Sequence, residues 1–149
     1  MIVLEWNPEE GEEQLTEVCN YTDLTMALHV VSRGHFVIVG DLMRSVTLLA
    51  YKELEKGERM LELIAKDYNQ NWLLAIEALD DEEFIASDAD HNLFTLRKNS
   101  DSTDEEERKK LEEVGAFHLG DQINRIRHGL DIFVIKKHMY TLFLRFRLE

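Results

Sequence analysis

Two stretches of this chain match one another at a fixed distance, and that narrows the possible folds more than any other feature. Thr25-Met26-Ala27-Leu28 aligns with Trp72-Leu73-Leu74-Ala75 at an offset of 47 residues. The same shift carries the turn at Gly40-Asp41 onto Ser87-Asp88 and Val46 onto Leu93. Each copy reads as strand, short link, strand, Asp-containing turn, strand. A period in the forties with several strands per unit is the mark of propeller blades. A third copy starts near Gly120-Asp121, followed by Ile123 and Ile126. Short apolar bursts fit the same plan: Ile2–Trp6, Met26–Val31, Phe36–Val39, Val46–Tyr51, Leu73–Ala78, Phe84–Ala86 and Leu93–Leu96. Several are apolar at every position, as strands covered on both faces are. The expected fold is all-β: a partial, WD-repeat-like β-propeller with four-stranded blades.

One segment departs from the pattern. Ser102 to Gly115 reads as a short, solvated surface helix between two strands, with Thr103 and Glu106 as a capping box. Glu105–Lys109 and Glu106–Lys110 are helical (i, i+4) pairs, and Gly115 suits the helix C-terminus. Met60–Asp67 is ambiguous, because Leu61, Leu63 and Ala65 alternate as in a strand while Leu61, Ile64 and Ala65 suit a helix. Seven glycines and one proline are few for a turn-rich β protein.

Charge and reactive groups exclude more than they select. Thirty acidic residues against seventeen basic ones give a net charge of −13. That balance opposes direct binding to nucleic acid, which needs clustered Lys and Arg. A single cysteine, Cys19, allows no intrachain disulfide and suits a reducing compartment; a buried, inert thiol is the expectation for it. The start lacks a secretory signal and no apolar stretch is long enough for a membrane helix, so a soluble intracellular protein with no membrane partner is expected. Asp88-x-Asp90-x-Asn92 resembles half a calcium loop, but Leu93 and Asn99 stand where such a loop needs Gly and Glu; an Asp/Asn-rich turn is the better account. His29, His35, His91, His118, His128 and His138 show no metal-ligand spacing. The carboxylates of Asp80 to Glu83 share one solvated turn, not the contrasting environments that paired catalytic acids need. With no phosphate loop and no nucleophile elbow, no enzyme, metal or cofactor is expected.

Arg44 stands out beside this. It follows Gly40-Asp41 and lies between Leu42 and Val46 at alternate positions, a cationic fork framed by aliphatic residues that could face a partner. An ion pair with Asp41 or another local acid is the simpler role. Trp72 is open in the same way, between core and interface.

The run Gly40-Asp41-Leu42-Met43-Arg44-Ser45-Val46 resembles a signature of the DNA damage-binding protein 1 family, the receptor adaptors of cullin-type ubiquitin ligases. The likeness continues through Ala50-Tyr51-Lys52, Ala65-Lys66-Asp67-Tyr68-Asn69, Asn71-Trp72 and Leu79-Asp80-Asp81. It is strongest at Thr103-Asp104-Glu105-Glu106, Leu111-Glu112-Glu113-Val114-Gly115 and Phe117-His118-Leu119-Gly120. The propeller subunits of the cleavage and polyadenylation factor and of splicing factor 3b are similar but match less well around residues 40–46 and 114–120.

That resemblance implies roughly three blades of a seven-bladed third propeller, spanning residues 1–129. It implies a scaffold in DNA repair and ubiquitin-dependent degradation, in nucleus and cytoplasm, that grips a helical segment of substrate-receptor proteins. Cullin would bind only through a second propeller that this chain lacks. The positions carried over as receptor contacts are Met26, Leu28, Leu42, Arg44, Val46, Trp72 and Asn124. An RNA-processing scaffold is the alternative. His29, Gln122 and Arg125 depart from the family pattern and bear on which receptor is chosen. The likeness stops after Gly129, and residues 130–149 read as a divergent basic and aromatic tail, such as a truncated or misjoined reading frame would leave. An open propeller has unpaired strand edges and no ring closure, so low stability in isolation is expected.

Overall fold

The computed structural model describes residues 1–8, 14–55, 57–128 and 140–144. An antiparallel hairpin of β1 (Ile2–Asn7) and β2 (Gln14–Asn20) comes first. Blade A follows as a four-stranded meander: β3 (Ala27–Arg33), β4 (Phe36–Asp41), β5 (Ser45–Glu53) and β6 (Arg59–Lys66). Blade B repeats it with β7 (Leu73–Ala78), β8 (Glu83–Asp88), β9 (Asn92–Lys98) and β10 (Leu111–His118), interrupted by α1 (Glu105–Arg108). β11 (Ile123–His128) then opens a third unit and pairs in parallel with β12 (Tyr140–Leu144). β7 packs between β3 and β11, while β2 lies against β6. The first strand of each blade is therefore innermost, and the chain is an all-β section of propeller.

The core explains why whole strands are apolar. Ile38, Val46, Leu48 and Ala65 of blade A meet Leu73, Ile76, Phe84, Phe94 and Leu96 of blade B in one buried cluster. The alternate residues Val39, Leu49 and Leu61 point the other way, against Met1, Val3 and Cys19 of the hairpin. Ala75 and Ile85 close on Ile123 and Ile126 of the third unit. Side chains alternate across a strand, so a strand sandwiched between two blades needs apolar residues at odd and even positions alike.

The repeat is visible in individual backbone bonds. Leu42 N–H donates to Met26 C=O and Ala89 N–H to Trp72 C=O, both at 2.9 Å. Tyr51 N–H donates to His35 C=O and Lys98 N–H to Glu82 C=O, both at 2.8 Å. These bonds correct the alignment at one end: Trp72 is the counterpart of Met26, not of Thr25. Inside the bond from Leu79 N–H to Glu83 C=O, the β7–β8 turn is residues 80–82, one residue longer than the turn Gly34–His35 of blade A. Gly40-Asp41 and Ser87-Asp88 also prove to be strand ends; the turns themselves are 42–44 and 89–91.

Gly40 has a steric reason. A Cβ there would lie 2.2 Å from Cδ2 of Leu73, a side chain fully buried in the inter-blade cluster that would have to shift against its packed neighbours. Gly40→Ala is expected to overpack this seam and lower unfolding free energy by about 1–3 kcal/mol, read as a lower urea midpoint with an unchanged slope.

The expected helix over 102–115 is mostly strand. Only Glu105–Arg108 is helical, and its cap is Asp104 instead of Thr103: the Asp104 carboxylate accepts the Glu106 N–H at 3.0 Å. The Glu105–Lys109 ion pair forms, but Leu111 to His118 pair along β9, with Gly115 opposite Thr95 inside the ladder. Lys66 N–H of β6 donates to Lys109 C=O at 2.9 Å, so the insertion also covers the edge of the neighbouring blade. A ladder of cross-strand bonds outweighs the helical preference of Leu-Glu-Glu. The ambiguous segment 60–67 is strand β6, with a bulge at Ile64.

Candidate partner-binding site

The turns between second and third strands, and the links between blades, emerge on one rim. Asp41, fully buried at the end of β4, organises it. Its Oδ2 accepts the N–H groups of Thr25 at 2.7 Å and Met26 at 2.9 Å, and its Oδ1 accepts that of Met43 at 2.9 Å. Burial alone would raise this carboxyl, but the N–H groups of Met43, Met26, Thr25 and Arg44 outweigh it and hold it below the ordinary range. One side chain thus ties the link 21–26 to the turn 42–44. Next to it, Ser45 adopts a left-handed φ of 58° and donates its hydroxyl to buried Asp67 at 2.5 Å. Asp67 also accepts the Asn69 N–H at 3.0 Å, which shapes the link 67–72.

This scaffold decides where the expected contact residues lie. Met26 and Trp72, equivalent in the two blades, are 53% and 59% exposed at the rim. Leu42 is half-buried in the turn and Arg44 is exposed beside it. Leu28 is the extra residue of a β-bulge in β3, between the pairs Ala27–Asp41 and His29–Gly40, and is 47% exposed; a bulge re-aims a side chain in this way. Asn124 is exposed on β11. Val46 differs: it is fully buried between the blades and offers no surface. Leu42, Arg44 and Val46 do not alternate along one strand, because 42–44 is a turn. Two exposed residues escaped the sequence reading, Met43 and Tyr68. Both line an open cleft of about 420 Å³ with Thr25, Arg44, Lys66 and Asp67; Tyr68 stood inside a quoted motif but carried no periodic signal.

Arg44 is paired, though not with Asp41. Its Nη1 lies 2.7 Å from Asp23 Oδ1, and Lys66 Nζ lies 3.6 Å from Asp23 Oδ2. The Arg44 hydrogen bond first, and then the Lys66 charge, hold the Asp23 carboxyl below its ordinary range.

Cys19 and Asp88, both singled out above, have well-defined surroundings. Burial pushes the Cys19 thiol up, away from the thiolate that nucleophilic chemistry requires. Asp88 accepts the backbone N–H of Asn92 at 2.9 Å and its side-chain amide at 3.0 Å, closing an Asx-type turn. Among the described residues no cluster of His, Cys, Asp or Glu could hold a metal ion, and no helix is long and apolar enough to cross a membrane.

The fold defines the class: a section of β-propeller, with exposed turns and links along one rim. The chain belongs to the family described as the CPSF A subunit region, whose model matches residues 2–138. It is similar to DNA damage-binding protein 1 of Oryza sativa subsp. japonica, 47% identical over 81% of this chain. It is also similar to DNA damage-binding protein 1 of Solanum lycopersicum, 46% identical over 80% of this chain, and to DNA damage-binding protein 1a of Arabidopsis thaliana, 45% over 81%. This chain spans 11% of the length of those curated relatives. Of the tail over 130–149, residues 130–139 and 145–149 lie outside the described residues.

Proposed function

We propose that this chain carries part of a receptor-binding face: a non-enzymatic scaffold that holds a helical segment of the substrate-receptor proteins of cullin ubiquitin ligases, in DNA repair and ubiquitin-dependent degradation. The observation that supports it is the rim itself, where Met43 and Tyr68 share an open cleft with the Arg44 cation and Met26 and Trp72 stand exposed at equivalent positions of the two blades. Apolar anchors with a few orienting polar groups suit an amphipathic helix laid into a groove. The cullin scaffold would be reached through a part of the adaptor outside this chain, and action in nucleus and cytoplasm follows from the same reading. Direct nucleic-acid binding is not part of it, since the chain's net charge is −13 and the rim cations Arg44 and Lys66 share a carboxylate.

The test is a titration of the chain with a receptor-derived helical peptide, followed by tryptophan emission, with Arg44→Ala in parallel. A saturable change is expected, weakened about 5- to 30-fold by Arg44→Ala, the range for truncating an interface arginine. A flat titration with the wild-type chain sinks the reading.

A further inference from the structure

We propose that Asp23 is the molecule's own stand-in for a carboxylate of the partner, so that this rim selects a helix bearing an acidic side chain opposite Arg44 and Lys66. The inference rests on the helix-binding reading above and adds the chemistry of the helix and an internal competitor for it.

The geometry is that of one carboxylate divided between two cations from different elements. Arg44 comes from the turn after β4 and Lys66 from the end of β6, and the two carboxylate oxygens of Asp23 face them separately. The partners are unequal. The Asp23 side chain is 60% exposed, on the link before β3, whereas that of Lys66 is only 13% exposed. A lysine whose stem is packed holds its ammonium in one place, where a carboxylate can keep it company, while an exposed carboxylate loses little by returning to water. The other acids of this region are committed elsewhere. Asp41 accepts backbone N–H groups, and Asp67 accepts the Ser45 hydroxyl and the Asn69 N–H. Among the described residues Asp23 is thus the sole carboxylate within ion-pair distance of either cation.

A docking helix covers this ion pair as it buries Met43 and Tyr68, and water can no longer screen it. If the helix carries a carboxylate there, Asp23 swings into solvent and both cations keep a partner. If it carries a neutral residue, Asp23 stays and is desolvated with its cations. Asp23 therefore sets a threshold: it weakens every acidic helix somewhat and neutral helices are not rescued by its removal.

The experiment is a glutamate/glutamine scan of the polar positions of the receptor-derived peptide, titrated into wild type, Asp23→Asn, Arg44→Ala and Trp72→Ala chains. One position is expected to favour Glu on the wild type by about three- to tenfold, and Asp23→Asn to tighten that Glu peptide by a similar factor while leaving its Gln twin unchanged. Equal binding of Glu and Gln peptides at every position, or no gain with Asp23→Asn, overturns the proposal. If Trp72→Ala still weakens those peptides, the helix-binding reading survives that failure. A second readout is independent of any peptide: side-chain NMR of Arg44 in the Asp23→Asn chain, titrated with sodium acetate against sodium chloride. A saturable shift specific to acetate is expected; identical responses to the two salts overturn the proposal even where no peptide binds.

Discussion

Replacing Asp41 by alanine is expected to destabilise the chain by about 3–5 kcal/mol, the largest effect of any single polar substitution here. The side chain is fully buried and accepts three backbone N–H groups from two separate segments. Alanine leaves those donors without an acceptor, and each unsatisfied donor costs on the order of 1–3 kcal/mol. Asp41→Asn is a milder probe, since the amide oxygen still accepts while its NH2 faces a donor. The pH dependence separates the two roles of the carboxylate. Its folded pKa is depressed, so the stabilisation is fully present above the ordinary aspartate pKa of about 4. It is lost as pH falls through the lower folded value. Urea midpoints between pH 7 and pH 3 should therefore fall more steeply for wild type than for Asp41→Asn. Parallel slopes would mean that Asp41 is held by packing and not by its charge.

Trp72→Ala is expected to weaken peptide binding by 2 kcal/mol or more, about 30-fold, with much less effect on stability. Trp72 is 59% exposed, so its truncation opens no core cavity, although its carbonyl must go on accepting the Ala89 N–H. Calorimetric titration measures the affinity and a urea melt checks that the fold is kept. A loss of stability as large as the loss of affinity would assign Trp72 to the scaffold. Val46→Ala gives the contrast: it empties space between the blades and is expected to lower stability without a contact of its own being removed.

The blades were legible because a strand sandwiched between two others leaves an uninterrupted apolar run, and because the run recurs. The one-residue slip in the first strand was not legible, since Met26 and Thr25 fit Trp72 equally well until the bonds from Leu42 and Ala89 distinguish them. The helix over 102–115 was overextended for a related reason. Capping pattern and (i, i+4) charges are local and did produce the turn Glu105–Arg108, whereas β10 forms through pairs with β9 that are remote in sequence. Of the residues expected as contacts, Met26, Leu28, Arg44, Trp72 and Asn124 are exposed and Leu42 is half-buried. Val46 lies under the surface, because the alternation assumed around Arg44 is broken by a turn.

By itself, then, the sequence determined the class of the molecule through apolar bursts of strand length and their recurrence 46 to 47 residues apart. These depend on short-range periodicity, which a linear reading captures. The tertiary structure alone decided what each polar group does. That Asp41 binds backbone N–H groups, that Arg44 shares Asp23 with Lys66, and that Gly40 makes room for Leu73 are facts of approach between segments distant in the chain. A carboxylate's charge is written in the sequence; its partner is chosen by which blade edge the fold brings within 3 Å of it.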